Sequence, residues 1–133
     1  MALTASPDLP QGALGKNLRF FTICPEDCQV AGDDQELGAI VVPFPFRLLR
    51  FDYSMWVDAS DLPNLEVLVD ATSVTTAGNV TKGSQQTGSV AITHPLREHA
   101  EGSRVIVIAD TDAPLPQVSR QSYTFAIQPV HGV

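Results

Sequence analysis

Basic residues are scarce in this chain: 8 Lys+Arg stand against 15 Asp+Glu, a formal net charge of −7. The eight (Lys16, Arg19, Arg47, Arg50, Lys82, Arg97, Arg104 and Arg120) are dispersed singly, without the run of positive charge that neutralises phosphates. Nucleic acid is therefore not an expected partner. Long apolar runs are missing too. The most apolar stretch, "AIVVPFPF" (39–46), is too short to span a bilayer and holds two prolines, so no membrane segment is expected. The opening "MALTASPDLPQGALGKN" lacks a basic n-region and an apolar h-region. The expectation is a chain made and kept in a cytosol, where disulfides are disfavoured and the sequon Asn79-Val80-Thr81 has no role. A Gly-x-Ser-x-Gly elbow and a Gly-rich phosphate loop are also missing, so enzymatic function has no positive support.

Cysteine is nearly absent, yet both copies fall in "FTICPEDCQV" (21–30), with three residues between Cys24 and Cys28. That spacing is one longer than the redox Cys-x-x-Cys, and no βαβ pattern surrounds it. A zinc site would need His94 and His99 as further ligands, but the two pairs lie far apart and no basic recognition helix follows. Four strand residues would part the Cα atoms by about 13 Å, too far for a disulfide unless the turn folds back. The expectation is a tight turn started by Pro25, with two reduced thiols dispensable for folding. The carboxylates Glu26, Asp27, Asp33, Asp34 and Glu36 around it do not match a calcium-loop pattern and read as a solvated acidic loop, as does "ADTDAP" (109–114). His94, His99 and His131 do not form the closely placed set of a metal oxygenase. No catalytic residue, metal or cofactor is expected.

What the chain does have is alternation. In "PFRLLRFDYSMWVDA" (45–59), Leu49, Phe51, Tyr53, Met55 and Val57 occupy every second position, with Arg50, Asp52 and Ser54 between. Period two predicts a half-buried strand, and at this length one that bends or passes between sheets. "LEVLVD" (65–70) puts Leu65, Val67 and Val69 on one face, "GSVAIT" (88–93) gives Val90 and Ile92, and "SYTFAIQP" (122–129) turns Tyr123, Phe125 and Ile127 inward. "NLRFFTI" (17–23) and "GAIVVPF" (38–44) are further strands, and residues 71–87 suit a hairpin or irregular edge strands. One or two helical turns are expected in "CPEDCQVAG" and in "HPLREHAEG" (94–102). The prediction is an all-β chain, a β-sandwich or barrel of seven or eight short strands over 17–133, preceded by an extended Pro- and Gly-punctuated arm over 1–16.

From "FRLLRFDYSMWVDA" to "TFAIQP" the order of patterns resembles jelly-roll structural proteins of tailed-phage virions. "NLEVLVDATSV" looks like their strand, polar turn and Ser-Val unit, "AEGSRVIVIAD" like the turn that opens a strand of alternating valines, and "SYTFAIQP" like their final strand. The resemblance covers roughly residues 44–129. "LVDATS" departs from it in lacking the usual Asn-Gly turn, and the front half with "CPEDC" lies outside it. It implies an antiparallel β-sandwich of jelly-roll type with about eight strands, and a capsid decoration (cement), head-fibre or tail-associated role, commonly as a trimer, in a virion assembled in the host cytoplasm, with no cofactor.

Two further features bear on partners. "VIVIAD" is apolar on both faces, Ile106 and Ile108 lying opposite Val105 and Val107, which predicts a covering loop or a subunit interface. Trp56, the one tryptophan, falls on the opposite face from Tyr53 and reads as a subunit contact or as the platform of a carbohydrate-binding module. The expected contacts to other subunits or to the major capsid protein are Trp56, Ile106, Ile108 and the arm residues Leu3, Leu9 and Leu14, in a homo-oligomer, most simply a trimer.

Overall fold

Period-two alternation becomes nine strands in the computed structural model, which describes residues 18–92 and 98–130. They are β1 (Arg19–Ile23), β2 (Cys28–Gln29), β3 (Gln35–Val41), β4 (Phe46–Asp58), β5 (Leu62–Val69), β6 (Thr72–Val80), β7 (Gln85–Ala91), β8 (Arg104–Ala109) and β9 (Gln117–Pro129). The first sheet runs β1-β9-β4-β7, with β2 also on β9; the second runs β3-β8-β5-β6. β1 and β2 pair with successive stretches of β9 and act as one interrupted strand. Counted so, first pairs with last (β1/β2 with β9), second with second-last (β3 with β8), β4 with β7 and β5 with β6, all antiparallel. That nesting is a jelly roll, an architecture shared by viral capsid domains, lectins and cupins. The expected arm, with Leu3, Leu9 and Leu14, lies outside the described residues, as do His94 and His131.

The core sits between the sheets. Phe46, Leu48, Phe51, Met55 and Val57 of β4 meet Leu65, Val67, Val105 and Val107 from the opposite sheet, each at most 2 % exposed. Phe51 lies at its centre, its ring 5.8 Å from Tyr53, 5.9 Å from Tyr123 and 5.6 Å from Phe125. The inward sets read from β5 (Leu65, Val67, Val69) and β9 (Tyr123, Phe125, Ile127) are all buried.

Three expectations need correction. Leu49 is not inward: a bulge between Leu48 and Arg50 in the pairing with β9 shifts the phase, so Phe46 and Leu48 point into the core ahead of it and Phe51 after. No helical turn forms over 24–32. The backbone there pairs with β9 instead, where Cys28 and Gln29 face Val118 and Gln117, and Val30 donates to the Pro116 carbonyl at 2.8 Å. The second expected helix is partly outside the described residues, and its described end is extended: His99 and Phe46 exchange both backbone hydrogen bonds, at 2.7 and 3.1 Å. Residues 71–87 form irregular edge strands and not a hairpin, since β6 and β7 close opposite sheets.

Candidate functional site

The first sheet breaks at one level, and a cleft opens there. Between the pairs Ser54–Ser122 and Trp56–Ser119, strand β9 spends two residues, Gln121 and Arg120, against the one of β4, Met55. Arg120 takes up the excess in the left-handed region, at φ 50°. On the other side of β9 the partner strand is interrupted at the same level, by residues 24–27 between β1 and β2. The bulge throws the Arg120 side chain outward, and its guanidinium carbon lies 5.4 Å from the centre of the Trp56 ring. Asp27, Trp56, Asp58, Gln117, Ser119 and Arg120 line a cleft of about 370 Å³.

A buried polar chain holds this break in shape. The Tyr123 hydroxyl donates to Gln121 Oε1 at 2.5 Å, and both residues are buried. Gln121 Nε2 donates in turn to the Glu26 carbonyl at 2.7 Å and approaches Cys28 Sγ at 3.9 Å. The "CPEDC" loop is thereby tied to β9, and Asp27 is carried to the cleft wall. Burial pushes the Tyr123 hydroxyl far above the ordinary tyrosine range, with Cys28 adding a smaller upward push, so the group stays a neutral donor. Cys24 is exposed and Cys28 half-buried, and both are free thiols.

The acidic loops hold backbone. Asp33 Oδ1 accepts from the Thr111 amide at 3.2 Å, and Asp110 Oδ1 from the Asp34 amide at 3.1 Å, which joins the turn after β2 to the one after β8. Among the described residues no three His, Cys, Asp or Glu side chains gather so as to hold a metal ion. His99 instead packs its ring 5.2 Å from Phe46.

Trp56 and the β8 isoleucines lie on opposite sides of the sandwich. Ile106 is half-buried on the outer face of the second sheet, in a cross-strand row with Ala39 and Leu68. Ile108, one row along between Glu36 and Glu66, is 8 % exposed. Arg104 and Glu36, on the rows either side of Ile106, form an ion pair at 3.1 Å that must cross over that row. Sequence reasoning singled out Trp56 and grouped Asp27 with the acidic turn, but missed Asp58, Gln117, Ser119 and Arg120. The available signal was a phase conflict: Val118 and Tyr123 are both inward, yet five residues apart.

No family model matches the chain, and no curated protein matches it. Among solved structures it is similar to the Tobacco streak virus coat protein, with 15 % identity, 93 % of this chain and 90 % of that one covered, and a TM-score of 0.46. A subviral particle of infectious bursal disease virus VP2 gives 11 % identity, coverage of 86 % and 37 %, and a TM-score of 0.44. A chain of the disulfide-linked Bacillus endospore appendages gives 13 %, 94 % and 100 %, and 0.41. At such identities and TM-scores these likenesses carry no argument about function.

Proposed function

We propose that the chain is a non-enzymatic structural protein of a viral particle, and more specifically a decoration protein on the outer shell of a tailed-phage capsid. The filled interior supports this reading most directly. Tyr123, Phe46, Phe51, Phe125, Leu48, Met55, Leu62 and Leu65 fill the space between the sheets at under about 2 % exposure, so among the described residues the interior is packed side chain. What the protein offers is surface. The order of sequence patterns over residues 44–129 supplies the tailed-phage part of the proposal. The trimer rests on the same resemblance, and the Ala39–Ile106–Leu68 row is the proposed subunit contact.

Mass spectrometry of purified particles tests it. The chain should be present in copy numbers in fixed proportion to the major capsid protein, and recombinant chain should co-sediment with shells stripped of it. Its absence from purified particles would sink the proposal.

A further inference from the structure

We propose that the Trp56–Arg120 cleft binds a neutral saccharide, such as the terminal sugar of a glycan. This goes beyond the virion reading and does not depend on it. The cleft combines one half-buried aromatic side chain with two carboxylates, Asp27 and Asp58, the Arg120 guanidinium, the Gln117 amide and the Ser119 hydroxyl. Two carboxylates against one guanidinium oppose an anionic ligand, and the guanidinium over Trp56 opposes a cation at the ring. A neutral ligand rich in both donors and acceptors meets a partner at every one of these groups. A pyranose is such a ligand: its hydroxyls both donate and accept, and its C–H groups pack against the exposed part of the half-buried Trp56 ring, beside the Arg120 guanidinium that lies over it.

The polar groups are available for that role. Among the described residues the Arg120 guanidinium forms no ion pair and lies against Trp56, and Asp27 makes no side-chain hydrogen bond. Asp58 spends Oδ1 on the Ala59 amide at 3.1 Å, which leaves Oδ2 without a protein donor among the described residues. Their positions are held by rigid parts. Trp56 lies on a strand paired on both sides, to Gln85 and to Ser119, and the Gln121 tether fixes the loop that carries Asp27. A volume of about 370 Å³ is near the small end of ligand sites, which run roughly 300–1,000 Å³.

Trp56 is the one tryptophan of the chain, so its emission reports on the cleft alone. Full-length protein is titrated with glucose, galactose, mannose and N-acetylglucosamine, and with glucuronate and glucosamine as charged counterparts. A glycan array covers longer ligands. The expected result is a saturable emission change with at least one neutral sugar, at a dissociation constant of about 1 mM or tighter. Asp58→Asn and Asp27→Asn, both at exposed positions, should melt like the parent and bind at least about tenfold more weakly. Three results would each overturn the proposal: no saturable response on titration or array, a stronger response to glucuronate or glucosamine, or undiminished binding by both variants. None of these touches the virion reading, which stands or falls on the composition of the particle.

Discussion

Tyr123 and Gly88 show how single side chains are held in this sandwich. Tyr123 is an acid whose pKa is raised on folding, so its stabilising contribution is complete below the unfolded value and is lost as pH rises beyond it. Melting temperature should therefore decline above about pH 10, the ordinary tyrosine value, and a Tyr123→Phe variant should decline less. At neutral pH the same variant strands the buried Gln121 Oε1 and should lose about 1–2 kcal/mol in chemical denaturation. Gly88 faces Tyr53, and a Cβ there would come within 2.5 Å of the tyrosine ring. Gly88→Ala is expected to destabilise by about 1–3 kcal/mol, with most of the loss recovered when Tyr53→Leu is added. For the thiols, Cys24→Ser/Cys28→Ser should melt within a few degrees of the parent. A loss of about 2–4 kcal/mol, the size of a native disulfide, would contradict the free-thiol assignment.

At the scale of elements, bulges decide which face each strand presents. β9 carries Val118 inward, then Arg120 at positive φ, then Gln121, Tyr123, Phe125 and Ile127 inward on the other parity. Arg120 is strained there for a residue with a Cβ, yet its guanidinium gains the Trp56 ring. Arg120→Gly relieves the backbone and forfeits the ring contact, worth about 0.5–1 kcal/mol at an exposed site, so stability should change little. Arg120→Ala loses the contact and keeps the strain, and should be about 1 kcal/mol less stable than Arg120→Gly. Both should alter Trp56 emission. Equal stability of the two variants would show that the bulge carries no strain. In the β5–β6 turn, Asp70 stands at φ 54° where no Asn-Gly is present, and its Oδ1 accepts from the Arg104 amide at 3.0 Å. An aspartate that tolerates the left-handed region and bonds a neighbouring strand takes the place expected of Asn-Gly.

For the whole molecule, the outer face of the second sheet tests the proposed assembly. Ile106 is half-buried, roofed in part by the Arg104–Glu36 pair, and lies outside the packed interior. Ile106→Asp should leave the domain folded and, if the Ala39–Ile106–Leu68 row is a subunit contact, convert an oligomer to a monomer in light scattering. Unfolding would instead mean that this face is closed by the chain itself.

Alternation by itself determined the all-β class and the inward sets of β5 and β9, because side chains alternate at every residue of a strand whatever its partners, while the jelly-roll expectation came from the order of patterns over residues 44–129. It also marked Trp56 as facing away from the core. Leu49, the absent helix at Cys24–Gly32 and the cleft were decided by tertiary structure. The phase at Leu49 and the cleft depend on where one strand spends an extra residue against another, and that is a property of the pair. Pro25 and Gly32 would have suited a helical turn in isolation. The Gln121 side chain and the β9 backbone, distant in the chain, take the hydrogen bonds there instead: Gln121 Nε2 donates to the Glu26 carbonyl, and Cys28 and Gln29 pair with Val118 and Gln117.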